Sequence, residues 1–494
     1  MACFSPTEPL TLPELAELLR SSEPVRLPPE AAHQIEAGYN YLRRQQAPPP
    51  PAGGSVFARL PDAGLPPEAQ AQWQANLLMS HAAGALPEVP SHLVRRMLLL
   101  KVLQLSLGYH GVALPTVKRL LDFYNREVWP VVLEQGSLGA YGDQAPLAHL
   151  CLPLLGLGEV RYQGYRLAAA DVLELLGWTP LPLEAQEGIT LLSGNQFMLA
   201  YATEVQERAL QLLRAANAIA ALSADVLGEA PALRHAALLR ARRHAGPQVM
   251  AAWLAVLLDN SELPNQPWAM GLASLAPAFG ATAQTHGASH DALTHVGQVV
   301  EAECNALPGG NLVFPADDVL LPGGGLPGQP LPLALDILAL AVAGLGGVSV
   351  RRTGCLLGGH RGLPPALVAE PALHFGLLAL PQTATSLESQ CRQLCAPASL
   401  IESGGNPYGP LSAGSTSAIK ARRVVENVEQ ILGIELLAAV QALDFRRPAR
   451  SSSTLETVAA AFRERVTFVA HDRVLAPDLE AAARFVREYA WPMH

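Results

Sequence analysis

The sequence predicts a mainly α-helical fold, and three observations carry that expectation. Apolar residues recur at steps of three and four. From Val424 onward, Val425, Val428, Leu432, Leu436, Ala439 and Leu443 draw one stripe, with Glu426, Asn427, Glu429 and Gln430 largely off it. Thr11/Glu14, Thr385/Glu388 and Ser453/Glu456 each place a hydroxyl three residues before a carboxylate, the pattern of a helix-starting capping box. Clear strand alternation is rare, which leaves only short β pieces for the Gly- and Pro-rich linkers.

Taken in order, residues 1–47 read as N-terminal helices, opened by the Thr11 box. The proline run from Pro48, ending in Gly53 and Gly54, starts a stiff linker over 48–66. Helical stretches follow at Ser91 to Tyr109, Ala185 to Ala224, Ala232 to Leu258, Ala281 to Asn305 and Leu331 to Arg352. The stripe from Val424 makes one more long helix, and 449–494 reads as short C-terminal helices. Pro308 to Pro330 and Glu402 to Ser415 are Gly/Pro-rich loops. Apolar content stays high on both sides of each loop. The expectation is therefore a single unit over 1–494, with its body at 67–448.

Half of the 494 residues are hydrophobic and 16% are charged, which excludes a disordered chain. A chain this long buries a large core without disulfides, and six cysteines are too sparse for a disulfide framework. A reducing, cytoplasmic location is expected. No basic start followed by an apolar run marks residues 1–11 as a signal peptide. The net charge of -9 offers no electrostatic footprint for nucleic acid. The most apolar windows are Met97 to Leu107, interrupted by Lys101, and Leu331 to Val348, which carries Asp336 and several glycines. Both read as core helices, so no membrane partner is expected.

The specific signal is a set of motifs in one order. They are NLLMSHAAG (Asn76–Gly84), QGSLGAYGDQAPLAH (Gln135–His149), EGITLLSGNQFMLAYA (Glu187–Ala202), NLVFP (Asn311–Pro315), GQPLPLALD (Gly328–Asp336) and the run from Arg422 to Pro448. On these motifs the chain resembles the histidine/phenylalanine ammonia-lyase family over about residues 70–450. The resemblance implies an ammonia-lyase-like fold with a long central helical bundle. It also implies a homotetramer whose sites are shared between subunits.

In that family an Ala-Ser-Gly triplet cyclises and loses water, giving a methylidene-imidazolone (MIO) electrophile. The corresponding triplet here is Ala140-Tyr141-Gly142. Tyrosine has no hydroxyl on Cβ, so elimination to an exocyclic methylene has no departing oxygen. Gap-free counting between motifs places Ser193 where the family has a carboxylate-binding Asn. It places Pro277 to Gly280 where a Tyr-Ser-x-Arg run stands, and Pro407 to Pro410, including Tyr408, where an acidic run stands. The family's N-terminal tyrosine falls near Pro49 to Phe57, which holds none. His110 stands where the family has Ser in Gly-Tyr-Ser-Gly.

These departures lead to the first expectation: a non-lyase scaffold, a pseudoenzyme without MIO or any other cofactor. It would act as a binding or regulatory partner, in a homotetramer or mixed with a lyase paralogue. A second reading reuses the old pocket for other chemistry on a small aromatic or apolar molecule, with Tyr141, Ser193, Asn195, Gln329 and Tyr408 as its polar groups. The third is an aromatic amino acid ammonia-lyase or aminomutase. Tyr141 itself is read first as a plug filling the vacated site. A Cys/His metal site from Cys355, His360, Cys391 and Cys395 has only weak spacing, and no metal is expected.

Overall fold

The computed structural model describes residues 4, 8–45, 67–137, 143–184, 186–230, 243–269, 277–309, 311–322, 329–400 and 414–492. The mainly α expectation holds. The described strands are two to four residues long, in one three-stranded and two two-stranded antiparallel sheets. The chain divides into two compact units, each assembled from three separated stretches.

The first unit comprises 1–204, 297–335 and 397–419. It opens with α1 (Leu12–Arg20), started by the capping box the sequence announces: Glu14 N–H donates to Thr11 Oγ1 while Thr11 N–H donates back to Glu14. α2 (Pro29–Arg44), α3 (Pro67–His81), α4 (Ser91–Ser106) and α5 (Leu114–Asn125) follow. α4 is the heart of this unit, because every residue from Met97 to Ser106 is buried, Lys101 included. β1 (Ala85–Glu88) pairs with β3 (Leu133–Gln135). β2 (Trp129–Pro130) pairs with β4 (Glu159–Tyr162), which pairs with β5 (Tyr165–Ala168). α6 (Gln144–Cys151), α7 (Ala169–Leu175) and α8 (Glu187–Leu192) complete the local frame, and α3 packs on both α6 and α8. β6 (Asn311–Phe314) and β7 (Val319–Pro322) form the hairpin that contains the NLVFP motif's strand.

The helix expected over Ala185 to Ala224 is two helices, α8 and α9 (Gln196–Val226). The break falls at Ser193-Gly194-Asn195. Gly194 has φ +137, where a side chain is strained, so the apolar period runs on in sequence while the backbone cannot.

The second unit comprises 205–296, 336–396 and 420–494. Its elements are the rest of α9, α10 (Ala245–Leu257), the short α11 (Pro277–Gly280), most of α12 (Thr282–Cys304) and most of α13 (Pro330–Leu357). α14 (Leu380–Leu394), the bulk of α15 (Gly414–Asp444), α16 (Ser453–Arg463) and α17 (Ala476–Glu488) follow. The stripe on α15 is buried throughout, from Val425 to Leu443. Its polar complement is not left in water: Asn427 and Glu429 are buried too, and Glu429 takes Arg208 and Arg487 within this unit.

Two capping expectations fail. Thr385 lies inside α14, its hydroxyl donating to the Pro381 carbonyl, because Pro381 already presets the first turn. α16 is capped by Ser452, whose Oγ accepts from Leu455 N–H, one place before the Ser453 of the motif. Among the described residues one helix, α13, is long and apolar enough to cross a membrane. Its most apolar window is 56% buried within the chain.

Candidate functional site

Ala140, Tyr141 and Gly142 lie outside the described residues, as does Tyr408. The frame on either side of the triplet is described, and it is tightly built. β3 leads to Ser137, and Asp143 caps the backbone of α6. Asp143 is fully buried. Its Oδ1 accepts from Ser137 Oγ at 3.0 Å and from Ser415 Oγ at 3.2 Å, and its Oδ2 accepts from Met198 N–H at 3.0 Å. Its own N–H donates to the Gly194 carbonyl at 3.0 Å. The neck of segment 137–143 is therefore closed by a side-chain hydrogen bond and tied to the α8–α9 turn.

Burial pushes the Asp143 carboxyl up to about 6, against four donors, the Met198 and Phe197 N–H groups and the Ser137 and Ser415 hydroxyls, that favour its charged form. The folded chain then holds a proton that the unfolded chain, near its ordinary value, has already released. That contribution to stability is complete below the unfolded value and is lost as pH rises through about 6. We expect the wild type to lose roughly 2–3 kcal/mol relative to Asp143→Asn between pH 4 and pH 7. Urea midpoints measured across that range read the difference directly.

The α8–α9 turn is held from beneath by Lys101. This lysine is fully buried, and its ammonium donates to the carbonyls of Thr190 at 3.1 Å and Ser193 at 2.7 Å. Burial pulls it down to about 8. Ser193 is spent on its own helix, since its Oγ donates to the Ile189 carbonyl at 2.7 Å. Asn195, fully buried, donates from Nδ2 to Glu303 at 2.8 Å, and burial raises the Glu303 carboxyl. Gln329 is half-buried, and among the described residues its Oε1 has no hydrogen-bond partner. The structure thus brings Ser193 and Asn195 together beside Asp143. Among the described residues no hydrogen bond joins Gln329 to them.

Sequence reasoning missed Lys101, Glu303 and Ser415 as parts of this frame. Lys101 carried a usable signal: it is one of three lysines in the chain and lies within one of its two most apolar windows. A cation there must find acceptors in the fold. His149 and His286 serve packing. His149 Nε2 accepts Gly84 N–H at 3.1 Å, and His286, kept neutral by burial, bonds Asn217 at 2.6 Å in the second unit.

A sequence profile described as aromatic amino acid lyase matches residues 10–464. The histidine ammonia-lyase of Symbiobacterium thermophilum is 41% identical over 482 residues, 97% of this chain and 95% of that one. That of Deinococcus radiodurans is 35% identical over 476 residues, 95% and 91% of the two chains. The crystal structure of histidine ammonia-lyase from Trypanosoma cruzi superimposes with a TM-score of 0.87 at 31% identity, covering 99% of this chain and 93% of that one.

These findings overturn the expectation of a non-lyase scaffold. Relatives alike over nearly the whole chain are named as histidine ammonia-lyases, which contradicts the pseudoenzyme reading. The expectation of a chain without MIO or any cofactor falls with it, since the family's enzymes use that group. The inference from Tyr141 reached too far for a physical reason: a missing β-oxygen closes one route at one side chain and leaves the surrounding frame intact. That residue does remain a misfit. The buried Asp143 frame is intact, but Ala140-Tyr141-Gly142 lacks the oxygen that Ala-Ser-Gly expels.

Proposed function

We propose, because this chain belongs to the aromatic amino acid lyase family, that it works as an ammonia-lyase or aminomutase on an aromatic α-amino acid, with histidine as the first candidate. The observation that carries this reading is full-length likeness to histidine ammonia-lyases together with the closed frame at Asp143. What the chain's own groups contribute is fixed geometry. Asp143, tied by Ser137, Ser415 and Met198, holds the reactive segment, and Lys101 holds the α8–α9 turn against it. Both act by preorganisation, which lowers a barrier without reorganisation during the reaction. Incubating the purified chain with L-histidine, L-phenylalanine and L-tyrosine tests the proposal. Ammonia release from at least one is expected, and no release from any by a folded protein would overturn it.

A homotetramer belongs to the same proposal. α13 supports it, since Leu333 and Leu340 are each 57% exposed on a helix of mean hydropathy 2.1 in its most apolar window. Leu340→Glu is expected to reduce the mass measured by light scattering below that of four chains. An unchanged tetramer would remove this face from the interface. A cytoplasmic, reducing setting is also proposed, supported by free thiols at Cys151, Cys304, Cys355, Cys391 and Cys395.

A further inference from the structure

In the second unit two imidazoles from distant parts of the chain meet nitrogen to nitrogen. His374 stands between α13 and α14, and His471 between α16 and α17. His374 Nε2 and His471 Nδ1 lie 3.1 Å apart. Asp472 supports the first ring from its other side. Its Oδ1 and Oδ2 accept from Phe375 N–H at 3.0 and 2.9 Å, and its Oδ1 accepts from Gly376 N–H at 2.8 Å. Its Oδ2 lies 3.9 Å from His374 Nδ1. The Phe375 and Gly376 N–H groups hold the Asp472 carboxyl below its ordinary value, so it is charged and favours the His374 proton on Nδ1. His374 Nε2, the nitrogen nearest His471, is then left with its lone pair.

A plain N–H···N bond is the simplest account of the contact. It aims the rings at each other, which at this nitrogen separation puts their centroids about 5.4 Å apart. Two rings aimed at one ion about 2.1 Å from each nitrogen have centroids about 4.8 Å apart instead. The observed distance is 4.9 Å. The nitrogen spacing suits an ion as well. Two nitrogens on one zinc lie about 3.3 Å apart at the tetrahedral angle and about 2.9 Å apart at a right angle. A carboxylate beside the far nitrogen of a ligating imidazole fixes that ring's tautomer, and Asp472 stands there. His471 and Asp472 are exposed, so an ion and water reach the pair. Among the described residues no third His, Cys, Asp or Glu completes the set, so water fills the remaining positions.

We propose that His374 Nε2 and His471 Nδ1 bind one divalent transition-metal ion of the zinc type, with Asp472 as the positioning residue that orients His374. Imidazole donors suit such ions, whereas magnesium and calcium take oxygen. Both rings bind as neutral imidazoles, each with its proton on the other nitrogen. The ion joins the segment before α14 to the segment before α17, and the proposal does not rest on the lyase reading. Calorimetry of Zn²⁺ into the chelator-treated full chain tests it. The wild type is expected to show one saturable site per chain, which His471→Ala weakens at least about tenfold and Asp472→Asn about 10–100-fold. His374→Gln gives a second reading of the pair. Zn²⁺ should also raise the unfolding midpoint of the wild type and leave that of His471→Ala in place, because the ion binds the folded pair. Identical isotherms for folded wild type and His471→Ala would overturn the site and leave only scattered binding by surface histidines. Full affinity in Asp472→Asn would overturn the role of that carboxylate.

Discussion

Tyr141→Ser is expected to yield chains whose intact mass falls short of the sequence mass by two waters. The substitution supplies the β-oxygen that Tyr141 lacks, and the described residues flanking the triplet are already fixed. Ser137 and Asp143 close the neck of the segment at 3.0 Å, and the Asp143 N–H is anchored on the Gly194 carbonyl. Fixing the two ends of a short segment lowers the entropy that closing a ring within it costs. The same variant carrying Asp143→Ala should keep its full mass. A full-mass Tyr141→Ser chain that folds normally would show that the frame around the triplet does not direct closure.

The second large effect concerns stability. In the second unit Arg352 and Glu435 are both fully buried. The guanidinium donates to the two carboxylate oxygens at 2.6 and 2.9 Å, and Ser223 Oγ adds a third donor at 2.7 Å. Arg352→Met strands a carboxylate inside the helices, with the Ser223 hydroxyl as its one remaining partner among the described residues. The expected cost is about 3–5 kcal/mol, read from urea unfolding. Replacing both residues, Arg352→Met with Glu435→Leu, should recover most of that loss, because the pair's desolvation penalty disappears with it. Equal losses in the single and double variants would mean that packing, rather than the uncompensated charge, sets the effect.

The helices were legible wherever a local period decided them. The α15 stripe and the Thr11 box are local patterns, and the structure follows them. The α8–α9 break was not legible, because the apolar period runs through it. Only Gly194 and the distant Lys101 mark the turn, and a carbonyl–ammonium contact 92 residues apart leaves no periodic trace. The site divides in the same way. Asp143 and Asn195 sit in recognisable motifs. Glu303 and Lys101 become site residues only when the fold brings α12 and α4 to the α8–α9 turn. Tyr141 misleads in the opposite direction, since one side chain's valence does not speak for a chain alike to a histidine ammonia-lyase over 97% of its length.

The most direct measurement supplies the purified wild-type chain with L-histidine labelled with nitrogen-15 at the α-amino group and identifies the nitrogen-bearing product. Labelled ammonium with an equal amount of the α,β-unsaturated acid is the expected result, and a labelled β-amino acid would assign the mutase form of the same proposal. Recovery of the labelled amino acid unchanged, from protein shown to be folded and repeated with labelled phenylalanine and tyrosine, would contradict it.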